Sequence, residues 1–244
     1  MQPLLYSDQK EIEIIYEDEY CLVVNKPNNL LVHHSHFSRN VEEESLVELL
    51  KKQGYDHPIP VHRLDRKTSG VLLLAKSTEF VKPFQELFDN NLMDKRYVAL
   101  LRGFVNGGGV IDSPVKNERG NYRDALSSYR NIKQFTLNIP VKPYPVSRYS
   151  FVMLKPHTGR MHQLRMHANK ISHPIIGDHK YGNRHHNKMF EEQLNAPNLF
   201  LHAFKLNFIH PFSEKKIIVK ARFPSFWEGV DGGSELSCIK RHFI

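Results

Sequence analysis

A chain of 244 residues with 40% apolar, 25% charged and 11% aromatic side chains can bury a core of its own, which excludes wholesale disorder. Lys and Arg outnumber Asp and Glu by 34 to 26, and the resulting +8 points to a polyanionic partner, nucleic acid first and a membrane surface second. Two cysteines, Cys21 and Cys238, exclude a disulfide framework and a four-thiolate zinc site. No apolar run approaches the roughly 18 residues of a bilayer span, and the opening MQPLLYSDQKEIEI has no signal-peptide pattern, so a reducing, cytoplasmic location is expected.

In chain order, 12–24 reads as two short strands: Ile12, Ile14 and Tyr16 alternate with charges, and Cys21 to Val24 is continuously apolar. Cys21 is expected as a buried thiol. Asn25 to Asn29 is a turn cluster, and Leu30-Leu31-Val32 is expected as another strand. Ser45 to Gln53 reads as a helix with Leu46, Leu49 and Leu50 on one face and Gly54 as its stop. A polar loop, 61–70, feeds a core strand at 71–75. Ser77 caps a helix with Phe80, Phe84, Leu87 and Phe88 on one face, in which Pro83 fits only the first turn. Residues 96–101 read as a strand, Gly107-Gly108-Gly109 as a hairpin tip and 114–124 as an exposed loop. Strands are expected at 125–137 and 147–155, then a helix from Gly159 to Lys170 capped by Thr158, a polar loop at 184–198, and strands near 199–209 and 215–222. The fold class expected is α+β, a single domain over 1–244 with many short strands.

Three groups of residues look chemical. Asp65 stands between Arg63 and Arg66, and a carboxylate among cations stays ionised and can act as nucleophile or base; a plain surface-turn aspartate has the same spacing. In Thr158-Gly159-Arg160-Met161-His162-Gln163-Leu164-Arg165, a helix would place Met161, Leu164 and Ala168 on one side and His162, Arg165 and Asn169 on another, either presented to a cleft or merely solvated. Tyr97, after Lys95-Arg96, is either strand packing or a stacking platform for a base. Among 15 histidines, His33-His34-Ser35-His36 and His185-His186 are the densest groups, and neither has a metal-site spacing; no phosphate-binding glycine loop or nucleophile-elbow serine appears. No metal and no cofactor are expected.

The stretch His62-Arg63-Leu64-Asp65-Arg66-Lys67-Thr68-Ser69-Gly70 resembles the HRLDxxTSG signature of the RluA-type pseudouridine synthases. Lys95-Arg96-Tyr97, Gly159 to Arg165, His173-Pro174-Ile175-Ile176-Gly177-Asp178, Leu201-His202-Ala203 and His210-Pro211-Phe212 resemble further segments of that family, in its order, so that the likeness covers about 12–225. IIYEDEYCLVVNKP, Leu31-Val32-His33 with Ser35, and Tyr144 to Tyr149 are similar to its tRNA pseudouridine synthase C branch. The resemblance implies a mostly antiparallel sheet flanked by helices and loops around a basic cleft, without an N-terminal S4 domain. It implies isomerisation of a uridine in RNA, tRNA first and ribosomal RNA second, without cofactor or metal; a monomer is expected because no coiled coil or interface stripe is visible in the sequence. Asp65 would be the essential carboxylate, Arg165 its partner, and Tyr97 the residue that stacks on the base and helps remove its C5 proton. Leu164 would pack on the Tyr97 ring or the base, Arg63 would fill the space the base leaves, and His62, Arg160 and His162 would contact RNA. A protein that binds or folds RNA without catalysis is the alternative of another class.

Overall fold

The computed structural model describes residues 11–34 and 43–231; Ser35, His36 and Cys238 lie outside them. In chain order the elements are β1 (Glu13–Glu17), β2 (Cys21–Lys26), α1 (Leu46–Lys52), β3 (Ile59–Pro60), β4 (Ser69–Ala75), α2 (Thr78–Asp89), β5 (Asp94–Arg102), β6 (Gly108–Asp112), β7 (Val115–Lys116), β8 (Tyr122–Arg123), β9 (Leu126–Leu137), β10 (Ser147–Pro156), α3 (Gln163–Lys170), α4 (Arg184–Leu194), β11 (Leu201–Ile209) and β12 (Lys216–Lys220). The class is α+β, with a large, mostly antiparallel sheet. The chain divides into two compact units, one from residues 1–93 and 207–222, the other from 94–206 and 223–244.

In the first unit β2 pairs antiparallel with β1 and with β4. Every residue of β4 is buried, which is why its sequence is a run of apolar residues rather than an alternation. Helix α1 begins at Ser45 in a capping box with Glu48 and ends before Gly54, as expected. Leu30 to Val32 is not a strand. Its carbonyls are taken elsewhere: Leu30 O accepts from Lys26 Nζ, and Leu31 O and Val32 O accept the N–H groups of Leu46 and Val47 at the start of α1. Pro83 lies in the second turn of α2, not the first. The helix keeps its course because Phe84, fully buried, is wedged edge-on against Phe208 and His210.

In the second unit β5, β10, β9 and β6 follow one another as antiparallel neighbours. Phe151, Phe190, Phe200 and Trp227 are fully buried in its core. Gly107 to Gly109 is not a hairpin tip, because β6 pairs with β9 and not with β5. The glycines serve close approach instead: a Cβ on Gly108 would stand 2.7 Å from Tyr129 O. The loop expected at 114–124 contains the small hairpin β7–β8, and the loop expected at 184–198 contains α4, capped by the Asn183 side chain.

Candidate active site

Asp65 sits in the first unit, half-buried, on the turn that leads from β3 into β4. Thr68 N–H donates to Asp65 O at 3.0 Å and closes that turn. Gly70 follows with φ of 109°, a left-handed backbone that favours glycine. On one side of Asp65, His62 Nε2 accepts the Leu73 N–H at 3.0 Å while its ring stacks on Phe88 at 4.4 Å, and Leu64 is buried. Arg63 is exposed. On the other side, Arg66 Nε donates to Asn29 O at 3.0 Å, its Nη2 pairs with Glu43, and Asn28 Nδ2 donates to Lys67 O.

The strongest anchor of this turn is Lys26. Its side chain is completely buried, and Nζ donates to Pro27 O at 2.8 Å, Leu30 O at 2.9 Å and Arg66 O at 3.0 Å. A primary ammonium has three N–H donors, so all of them find a carbonyl. One of those carbonyls belongs to the residue directly after Asp65. Burial pulls the ammonium down to about 7; the Asp65 carboxylate favours the charged form, and the Arg66 guanidinium opposes it. Asp65 thus stands on a backbone fixed at the residue that follows it, in the field of a buried cation.

Tyr97, Arg160, His162, Leu164 and Arg165 belong to the second unit. Tyr97 lies on β5 opposite Leu154 of β10 and packs against the apolar core. Helix α3 starts at Gln163, four residues later than expected from Thr158. The cause is local: His162 takes a left-handed φ of 53° and stops the helix from extending backwards. Thr158 instead bonds Leu126 N and Gln163 Oε1, and Gln163 also accepts the Arg160 N–H and donates to Leu126 O and Ser127 Oγ. Arg160 Nε donates to Asp124 O at 3.1 Å, and Leu164 is buried in the core.

Arg165 is buried rather than displayed on a solvated face. Its Nε and Nη2 grip the two carboxylate oxygens of Asp178 at 2.7 and 2.9 Å. Asp178 Oδ1 also accepts the N–H groups of Lys180 and Tyr181 at 2.9 and 3.0 Å. Burial pushes the Asp178 carboxyl up, but the hydrogen bonds and charge of Arg165, with the two backbone donors, outweigh it and hold the group below its ordinary range. Tyr181 closes the arrangement. The Arg165 guanidinium lies 5.2 Å from the centre of its ring, and its hydroxyl lies 3.1 Å from His162 Nδ1, steadying the left-handed residue. Gly177 precedes Asp178 with φ of 77°, and a Cβ there would come within 1.8 Å of Asn198 O. Behind α3, His167 Nε2 donates to Ser113 O, so Nδ1 accepts from Ser127 Oγ; burial lowers its affinity for a second proton.

Residues 20–170 match the family model described as RNA pseudouridylate synthase. The chain belongs to the RluA-type RNA pseudouridylate synthase family. It is 36% identical over 230 residues to the tRNA pseudouridine synthase C of Vibrio cholerae serotype O1, covering 90% of this chain and 94% of that one. It is 39% identical over 227 residues to the tRNA pseudouridine synthase C of Pasteurella multocida, covering 88% and 93%. Its fold is that of Human RNA Pseudouridylate Synthase Domain Containing 1, with a TM-score of 0.71 at 24% identity over 91% of this chain and 87% of that one. The family makes this protein an isomerase of the pseudouridine synthase type.

The structure brings forward residues to which sequence reading gave no role. Lys26 stands in a turn cluster and in the segment IIYEDEYCLVVNKP, and a lysine between Asn25 and Pro27 gives no sign of burial. Asp178 stood in a recognised segment without a partner, and Tyr181 had no signal. Among the described residues one group of three ligand types lies together, in the first unit: Asp18, Cys21 and His210 offer atoms within 4.8 Å of one another. Its protons are already placed. His210 Nδ1 accepts from Phe212 N and Ser213 N, so Nε2 carries the proton and donates to Asp18 Oδ2 at 3.1 Å, while burial pushes the Cys21 thiol up. This is a closed hydrogen-bonded cluster that holds the β1–β2 turn to the segment after β11.

Proposed function

We propose that this protein converts a uridine of tRNA to pseudouridine, with Asp65 as the essential carboxylate. The observation that carries the reading is the Asp65 turn, held through Arg66 O by the buried ammonium of Lys26. The substrate class comes from the relatives, named tRNA pseudouridine synthase C over nearly their whole length. The reaction is an isomerisation. The N1–C1′ bond breaks, the uracil turns, C5 bonds to C1′, and the C5 proton leaves as N1 gains one, so no co-reactant is consumed.

In this reading Asp65 serves bond breaking at C1′, and Arg165 holds its carboxylate. Tyr97 stacks on the extruded base, contributing about 1–3 kcal/mol against the few kcal/mol of flipping, and its oxygen assists removal of the C5 proton. Leu164 packs on the base, Arg63 fills the vacated stack, and His62, Arg160 and His162 border the RNA. The net charge of +8 supplies phosphate attraction that weakens with salt. The target is the acceptor-arm uridine at position 65, and the enzyme works as a cytoplasmic monomer.

The test is pseudouridine mapping of total tRNA and ribosomal RNA from cells lacking the gene and complemented with wild type or Asp65→Ala. One tRNA pseudouridine should vanish and return only with wild type. Return with Asp65→Ala would overturn the role of the carboxylate, and a loss confined to ribosomal RNA would overturn the substrate.

A further inference from the structure

Helix α4 lies beyond residues 20–170, which the family model matches, and its charges run against its own dipole. A helix favours acids in its first turn and bases in its last. Here Arg184, His185 and Lys188 occupy the N-terminal half and Glu191 and Glu192 the C-terminal half, all exposed. From Asp178 to Glu191 the chain carries Lys180, Arg184, Lys188 and three histidines, with no carboxylate between those two. Asp178 itself is buried against Arg165, so it does not offset the exposed cations. A local arrangement that opposes folding marks a place where another demand was met.

The scaffold under these cations is tightly built. Asn187 of α4 accepts the Gly177 N–H and donates to Asp178 O, both within 3.0 Å, and Gly182 N–H also donates to Asp178 O. Asp178 is gripped by Arg165, so α4 and the 178–182 loop are locked to the helix that carries the family motif. Of the apolar residues of α4, Met189 and Phe190 are buried in the core and Leu194 packs against it partly buried, and no large apolar side chain from 178 to 190 is exposed. A membrane surface or an apolar partner would have nothing to insert against. The exposed Lys188–Glu192 pair at 3.5 Å contributes little.

We propose that Lys180, Arg184, His185 and Lys188 form a docking surface for the phosphate backbone of the substrate RNA beyond the target uridine. This rests on the RNA substrate argued under Proposed function. The chemistry recognised is the polyanionic backbone of a folded arm, met by the Lys180, Arg184 and Lys188 cations, with His185, whose Nε2 accepts from Arg184 Nε, beside them on a fixed backbone and without base specificity.

The experiment compares wild type, Arg184→Glu/Lys188→Gln and Lys180→Gln on a full-length tRNA transcript across a salt series, with melting curves alongside. For the double variant KM should rise roughly ten-fold and the slope of log affinity on log salt should become shallower by about 1.5. Its kcat should stay within about two-fold. Its melting temperature should hold or rise, because a glutamate in the first turn suits the dipole. Lys180→Gln should raise KM roughly three-fold. Unchanged KM and salt slope in an active double variant would overturn the docking surface, as would a fall in kcat accompanied by a lower melting temperature. A wild-type protein that modifies no RNA would instead overturn the substrate reading beneath it.

Discussion

Replacing Asp178 by Asn separates charge from shape at the point where α3 meets the 177–182 loop. The amide can keep one oxygen on the Lys180 and Tyr181 N–H groups but must turn an NH2 toward Arg165, which has only donors. Both partners are almost fully buried, with side-chain exposures of 8% for Arg165 and 1% for Asp178. Breaking a buried pair from one side costs about 3–5 kcal/mol. With a urea slope of about 2–3 kcal/mol per molar, the unfolding midpoint should fall by roughly 1–2 M. The single tryptophan, Trp227, is buried in the core of the same unit and makes its fluorescence the direct assay. The pH dependence supplies a second readout. The carboxyl of folded Asp178 titrates below its ordinary 3.8, so its stabilisation is complete above that value and is lost as pH falls through the lower, folded one. Wild type should therefore lose stability steeply below about pH 4, and Asp178→Asn should show a flatter acid limb. A midpoint shift under about 0.3 M with an unaltered acid limb would refute the claim that this pair organises the motif helix.

Lys26→Met keeps the bulk of a fully buried side chain and removes the donors to three carbonyl oxygens. With Leu30 O buried and the other two partly so, the loss should reach about 3 kcal/mol, and turnover should fall with it as the Asp65 turn loosens. An unchanged melting temperature would show that water replaces the ammonium. His186 bonds the Tyr149 hydroxyl at 2.8 Å through Nδ1, and burial first, then the charges of Arg102 and His185, lower it to about 4. The unfolded chain therefore takes up this proton at a higher pH than the folded one, so stability should decline as pH falls from 6.5 toward 4. Melting temperatures of His186→Gln should be flatter across that window; parallel curves would remove His186 as the cause.

What could be read from the sequence, and what could not, follows from the range of the forces involved. The capping box at Ser45, the apolar run 71–75 of β4 and the amphipathic α2 were legible because propensity, capping and periodicity act within a few residues. The family motifs were legible as order along the chain. The misreadings occurred where a distant group claimed a backbone atom. Leu30 to Val32 has strand composition, yet its carbonyls belong to Lys26 and to the start of α1. The helix at 159–170 is shortened for a local reason instead: it has helical spacing, yet the left-handed His162 withdraws four residues from it. The polar stretch 184–198, with its paired histidines, shows no periodicity, and the structure shows the Asn183 cap and the burial of Asn187, Met189 and Phe190 making it a helix. The same reasoning explains why Lys26 and Asp178 went unassigned: each acts by completing the bonds of groups far from it in sequence, or directly beside a candidate catalytic residue. Such supporting residues are therefore found by asking which buried charges are fully bonded and to what: in the first unit that question leads from Lys26 to the Asp65 turn, and in the second from Asp178 to Arg165.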